Sequence, residues 1–468
     1  MNLKRAGRGL LWALGLSCLL VIGLVLAWLA SNNRWVDAAP QPRPSALQLR
    51  PTTAPPEANV FFDLAGLLAP ANEAPLARGQ AVWAGGEALA LHAVLASPKD
   101  PLWNCNWTRE DCLARWSQEA VALAAVLREQ ELLLGRCAAI ADALGAGRRV
   151  FEEPMAQARS ELRKVLDQYA ALPRANHVQG ANVCLRGFQL QAAQAQLAGD
   201  STLLAQSLGR GQVLTQAQIS GAQSLIAQSV AWSQSRQQLQ LLAALLAREP
   251  GRAGLLAPLL GPLPARAADA ASWMPAEAYV QAQVGRELVQ LCGRVQLPDE
   301  AQPVILLAEA SAWERLKCNF GFMPQRTQQA NDAWWLQQHE AAKDGPEALL
   351  RRMQAQPAPD FSLWSMPFRN TIGAILLSVA HPAFDDYPAK QADLLLDHRV
   401  AQLALALATQ HVPVAERGAW LARQDLTPSQ RERITLSEDG LSLRVLPWAK
   451  PVTPSPGGLS RSWPLAPL

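Results

Sequence analysis

The stretch GAQSLIAQSVAWSQSRQQLQLLAALLAR, Gly221 to Arg248, decides the class of this chain. Leu225, Trp232, Leu239 and Leu246 return at heptad spacing with Ala222 and Leu242 beside them, which is the apolar stripe of an amphipathic helix. Gln216, Gln223, Gln228, Gln234, Gln237 and Gln238 fill much of the remainder. That uncharged face reads as solvated, with a partner surface as the alternative. The helix is expected over 213–248, and similar patterning predicts others over 109–145, 152–172, 178–208, 273–293, 301–318, 326–356 and 388–410. Composition agrees: of 468 residues, 50% are hydrophobic and only 17% charged, so the chain folds. Tyrosine and phenylalanine are few while unbranched helix formers dominate. The net charge of +3, spread along the sequence, offers no basic stripe for nucleic acid.

Toward the N-terminus the run LLWALGLSCLLVIGLVLAWLA, Leu10 to Ala30, carries no charge. It is long enough to cross a bilayer, because about 20 apolar residues at 1.5 Å rise span a hydrocarbon core. A cleaved signal would have a shorter apolar segment and a small-x-small site, where this run has Trp28. Cys18 lies mid-run without a lipobox before it. Lys4, Arg5 and Arg8 precede the run, which places the N-terminus in the cytoplasm and everything after residue 30 outside.

Six cysteines then lie in an oxidising compartment: Cys105, Cys112, Cys137, Cys184, Cys292 and Cys318. Sequence leaves their connectivity open; the preferred pairing is by neighbours, Cys105–Cys112, Cys137–Cys184 and Cys292–Cys318. No C-x-x-C pair exists and the histidines show no zinc spacing, so no metal is expected. In PLWNCNWTREDC, Pro101 to Cys112, Thr108 reads as an N-cap followed by the acidic first turn Glu110-Asp111. Leu113, Trp116, Ala120, Leu123 and Leu127 continue as one stripe. A Cys105–Cys112 bridge would clamp that helix start under Trp103 and Trp107; a redox-active pair is the rival reading, and predicts an exposed bridge.

The layout expected is 1–8 cytoplasmic, 9–30 transmembrane, 31–57 a proline-rich spacer, 58–248 a helical lobe, 249–270 a Pro/Gly connector, 271–449 a second lobe and 450–468 a loose tail. The leucines of the connector suit packing or the lining of a groove. RITLSEDGLSLRVLPW alternates about Asp439-Gly440, so Ile434–Glu438 and Leu441–Leu446 are expected to pair through a two-residue turn.

Chemistry is scarce. The phosphate-loop, dinucleotide, nucleophile-elbow and zinc-helix motifs are missing, and His339-Glu340 lacks its second histidine. The best cluster is HPAFDDYPAK, where His381, Asp385, Asp386, Tyr387 and Lys390 stand together. Paired carboxylates beside a histidine can divide into acid and base if burial separates their pKa values. The plainer reading makes Asp386 the cap of a helix beginning near Pro388. Glu152-Glu153-Pro154 reads as a helix start, and Asn106-Trp107-Thr108 matches a glycosylation sequon.

NVFFDLAGLLAP and FRNTIGAILLSVAHPAFDDYPAKQADLLLDHRVAQLALAL together resemble a functionally uncharacterised group of proteobacterial single-pass membrane-anchored proteins. The resemblance implies an inner-membrane protein facing the periplasm and supplies no catalytic residue. The reading is therefore mainly α: a transmembrane helix, a multi-helix periplasmic body of bundle or irregular hairpin type, and a short C-terminal β-hairpin. The expected role is structural or interactive at the cell envelope, with a protein partner, no nucleic acid and no cofactor. The alternative is a hydrolase of an envelope polymer acting through Asp385 and Asp386.

Overall fold

The computed structural model describes residues 3–33, 36–83, 98–105, 107, 110–155, 176–291, 295–296, 306–307, 322–355, 369–449 and 461–467. It is mainly helical. α1 is Leu3–Ser31, and its Leu14–Ser31 window has mean hydropathy 2.3 with none of the window buried by the rest of the protein. α2 (Val60–Ala65), α3 (Pro75–Trp83), α4 (Cys112–Gln118), α5 (Ala120–Glu129), α6 (Glu131–Gly145), α7 (Asn176–Ala198), α8 (Ser201–Gly221) and α9 (Leu225–Arg248) follow. After the connector turn α10 (Ala253–Leu256) come α11 (Met274–Leu291), the small strand pair β1 (Val295–Gln296) and β2 (Leu306–Leu307), and α12 (Pro324–Ala342). α13 (Pro346–Gln354), α14 (Thr371–Ala380), α15 (Tyr387–Thr409), α16 (Arg417–Ala422) and α17 (Pro428–Arg433) complete the α-helices among the described residues. A three-stranded antiparallel sheet, β3 (Ile434–Leu436), β4 (Ser442–Val445) and β5 (Arg461–Pro464), closes the chain order.

α9 is the axis of the body. It packs against α7 and α8 on one side and against α15 on the other. One buried cluster runs from Leu47 to Leu465 and includes Trp116, Trp232, Trp273, Trp335 and Trp463. The Leu225/Trp232/Leu239/Leu246 stripe is buried as expected, but most of the glutamine face is not solvated: Gln216 and Gln237 are half-buried and the other four are buried. Gln228, Gln234 and Gln238 are each 1% exposed. Their amides donate to the Ala222 carbonyl, to Asn182 Oδ1 and to the Leu208 carbonyl respectively. An uncharged amide tolerates burial when its partner is a backbone carbonyl of the adjacent helix, so the helix is enclosed nearly all round.

Long periodic stretches prove to be pairs of helices. The 178–208 expectation breaks at Gly199, whose φ of 70° lets the chain turn while Asp200 caps α8 by accepting from Leu203 N–H. The 213–248 expectation breaks between α8 and α9, where Ser224 caps α9 through Ala227 N–H. The 326–356 expectation breaks at Gly345, φ 90°, before Pro346. The 109–145 expectation divides into α4, α5 and α6, and its first cap is Asp111, which accepts from Ala114 N–H. Thr108 and most of the 152–172 and 301–318 expectations lie outside the described residues; β2 stands where part of the last was expected to be helical.

Residues 36–59 are a strap against the body. Leu47 is fully buried, Asp37 accepts from Gln325 and Arg326 N–H at the start of α12, and Arg43 pairs with Asp332. Asn59, also fully buried, caps α2 and exchanges hydrogen bonds with Glu152 backbone. Gly66, Gly79 and Gly180 let the backbones of α2, α3 and α7 meet, for a Cβ at any of them would overlap a carbonyl. The leucine-bearing connector packs as well: Leu256, Leu260, Ala267 and Ala270 are buried.

The β3–β4 hairpin registers Ile434 with Val445 and Leu436 with Leu443. Its turn is longer than expected. Gly440 N–H donates to the Ser437 carbonyl, and of Asp439 and Gly440 only the glycine has positive φ, 69°. This is a turn closed by a left-handed glycine rather than a two-residue loop. β5 pairs with β4, seats Trp463 at 2% exposure and is followed by the buried pair Leu465 and Ala466, so this part of the expected tail is ordered structure. Residues 450–460 lie outside the described residues.

Candidate functional site

The cluster chosen from sequence sits where α14 passes through a 3-10 turn, His381–Phe384, into α15. His381 is brought against Trp334, with ring centroids 3.9 Å apart and planes within 6°, and its Nε2 lies 3.2 Å from Asn331 Oδ1. Burial pushes its pKa down to about 4, so the ring is neutral at pH 7 and has the character of a packed side chain. Asp385 is half-buried, and burial followed by the charge of Asp386 raises its pKa. Asp386 is exposed and occupies the N-cap position of α15 without a side-chain cap bond. Lys390 Nζ lies 4.4 Å from the Tyr387 ring centroid. None of the three cavities described among these residues is lined by His381, Asp385 or Asp386. The two carboxylates are adjacent on one turn, Asp386 exposed and Asp385 half-buried.

Two of the expected disulfides form: Cys105–Cys112 and Cys137–Cys184. Cys292 and Cys318 lie outside the described residues. Cys112 opens α4, and both cysteines of the first bridge are fully buried, which opposes an exposed redox pair. Trp103 is buried beside it, and Trp107 meets Trp116 edge-on at 5.6 Å. Glu110 is near enough to these sulfurs to suggest a cation site, but the disulfide removes both thiolates and Glu110 pairs with Arg115.

The most voluminous of the three described cavities is a cleft of about 620 Å³ that no local motif announces. Its walls come from the strap at 46–50, the C-terminal end of α8, the connector at 264–272 and the C-terminal end of α12. Arg50, Arg266, His339 and Lys343 line it with one carboxylate, Asp269, and the Lys343 ammonium is also paired with Glu340 at 2.6 Å. Gln223 holds the strap in place by donating to the Arg50 carbonyl. The Arg266 guanidinium donates to the Ser272 carbonyl at 2.7 Å, while its Nε makes no hydrogen bond. Partial burial lowers the pKa of Arg50, opposed by the charges of Asp269 and Glu152. Guanidiniums and an ammonium at the rim of an open cleft suit a carboxylate or phosphate group. The connector's leucines pack rather than line the cleft, whose lining from this segment is Pro264, Ala265, Arg266 and Asp269.

Two buried acidic clusters are explained by architecture. Glu153, 3% exposed, accepts from Gln223 and Ser224 N–H and from Ser224 Oγ, and Glu277 accepts from Leu225 N–H. Together they cover the N-terminal amides of α9, where the helix dipole favours negative charge. Sequence reading made Glu152-Glu153 a helix start of its own; Glu152 instead accepts from Thr53 and Ala54 N–H, holding the strap. On α15, fully buried Asp397 accepts from Arg236 at 2.7 Å and Arg461 at 2.9 Å, while Asp393 accepts from Trp448 N–H. This pins β5 between α9 and α15.

No protein-family model matches the chain, and it has no significant match among curated proteins or solved structures.

Proposed function

We propose that the protein is a single-pass, N-in inner-membrane protein whose helical body stands in the periplasm and binds a partner through an anionic group held in the cleft. The observation that carries this reading is the cleft itself: about 620 Å³, lined by Arg50, Arg266, His339 and Lys343 with Asp269 the one lining carboxylate and Glu340 paired to Lys343. Membrane anchoring is supported by the apolar Leu14–Ser31 window, and an oxidising compartment by the two disulfides. The hydrolase alternative loses support because Asp385 and Asp386 sit side by side on one turn and line none of the three described cavities.

The test is affinity capture of the full-length protein from gently solubilised membranes, with mass spectrometry of what co-purifies. Arg50→Glu/Lys343→Glu changes two exposed side chains and should lose a partner that wild type and Asp385→Ala/Asp386→Ala both retain. If the cleft reversal keeps every partner while the folded Asp385→Ala/Asp386→Ala variant loses the cellular phenotype, the binding reading falls and the hydrolase reading replaces it.

A further inference from the structure

α14 is short, uncharged and amphipathic in an unusual sense: one face is pinned to the body and the other is apolar and exposed. Gly373 is buried, and a Cβ there would collide with the Thr327 hydroxyl and the Asn370 amide, so the inner face lies hard against α12. Ile372, Leu376 and Val379 are exposed by 45%, 39% and 64%, and Ala383 continues the same row on the following turn. Steps of four, three and four residues place all four side chains on one line. No charged residue interrupts it between Arg369 and Asp385.

The stripe begins where the apolar anchor ends. Arg369 Nε donates to the Ser31 carbonyl at 3.2 Å, and Asn370 N–H donates to Asn32 Oδ1 at 2.7 Å. Asn32 is fully buried. Asn370, held in the left-handed region at φ 59°, also accepts from Met323 N–H, which ties the last residues of α1, the start of α12 and the start of α14 into one joint. The body is therefore bonded to the anchor at the point where the anchor leaves the hydrocarbon. A helix of ten residues is about 15 Å long, so the whole stripe stays within about that distance of the bilayer boundary. Interfacial helices sink an apolar face about 5–10 Å into the headgroup region. Exposed Arg369 at the start of the helix is placed to meet lipid phosphates.

We propose that α14 is a membrane-surface contact, with Ile372, Leu376, Val379 and Ala383 seated among the phospholipids of the leaflet into which α1 emerges. The inference rests on α1 being a membrane anchor. Its consequence is a body that lies down on the bilayer at a fixed angle instead of swinging on a spacer.

The full-length protein in phospholipid nanodiscs supplies the test, with a nitroxide coupled to a genetically encoded keto residue, which leaves the disulfides intact. Collision of the nitroxide with oxygen, which concentrates in lipid, is compared with collision with a water-soluble nickel chelate. Labels at Leu376 and Val379 should give oxygen-to-nickel ratios several-fold above the solvent reference at Val121, which is 87% exposed, and approaching that at Leu20. Water-like ratios at 376 and 379 with a lipid-like Leu20 overturn the contact and leave the anchor standing. Exclusion of both reagents means that protein, a second copy or a partner, covers the stripe, and overturns it too. A water-like Leu20 removes the anchor and the proposal with it.

Discussion

Replacing Glu277 by glutamine removes a titration that the fold makes costly. Glu277 lies in the first turn of α11 and accepts a hydrogen bond from Leu225 N–H at 2.9 Å. Burial raises its pKa to about 7; the Leu225 bond opposes that shift and the charge of Glu153 adds to it. The groups around it are Glu153, with His177 beyond, and Tyr387, whose own pKa burial and the charge of Glu277 raise. In the unfolded chain a glutamate titrates near 4.3. Between those values the native state binds more protons than the unfolded state. Stability from this group is therefore complete below about pH 4.3 and is lost as pH rises through 7. The slope is about 1.4 kcal/mol per pH unit between about pH 4.3 and 7, so the loss reaches nearly 4 kcal/mol by pH 8. Glutamine keeps the carbonyl that accepts from Leu225 and carries no charge at any of these pH values. Denaturant unfolding of both proteins in the same micelles, followed by tryptophan fluorescence, gives their difference at pH 5, 6, 7 and 8. Glu277→Gln should exceed wild type by only about 1 kcal/mol at pH 5 and by nearly 4 kcal/mol at pH 8. Other titrating groups cancel in the difference. A difference that does not change with pH, or that falls as pH rises, refutes the reasoning.

Asp397→Ala leaves Arg236 and Arg461 facing each other across a buried gap and should cost about 3–5 kcal/mol in denaturant unfolding; a loss below about 1 kcal/mol contradicts the network. Removing Cys137–Cys184, which spans 47 residues, should cost about 4 kcal/mol, and removing Cys105–Cys112, which spans 7, about 2.5 kcal/mol; equal or reversed midpoint losses of the two alanine double variants would contradict loop closure as the cause. Gly79→Ala should open the α2–α3 contact, seen as rapid proteolysis near α3, because its Cβ would overlap the Phe62 carbonyl. Gly135→Ala, with open space around it in a helix, should be neutral or stabilising by up to about 1 kcal/mol.

What the sequence made legible were features that act locally. The apolar stripe of α9, the strand pair around Gly440 and the pairing of cysteines near in sequence each depend on residues a few positions apart. Helix boundaries were misread where periodicity persisted across a turn. α7 and α8 bury apolar residues on both sides of Gly199, so the stripe does not register the break. The gap between α8 and α9 is set by Glu153, about 70 residues earlier in the chain, taking the amides of Gln223 and Ser224. The burial of the glutamine face was likewise invisible, because an amide reads as polar whether its partner is water or the carbonyl of Leu208. The cleft escaped for the same reason: Arg50, Arg266 and Lys343 come from three distant segments, and only the odd leucines of the connector hinted that it was more than a linker. HPAFDDYPAK stood out because its polar residues are adjacent, yet adjacency on one turn is the arrangement in which side chains do not converge.

The position of β5 bears on how the chain is made. Arg461 reaches Asp397 from 64 residues downstream, and Trp463 fills the core only when that strand has been added beside β4. A polypeptide made from its N-terminal end contains α9 and α15 well before residue 461. Until then α15 carries two carboxylates with Arg236 as the cation already delivered to face Asp397. A chain that stops short of this strand lacks the Arg461 and Trp463 that seal its central helices, and a protease would meet it open.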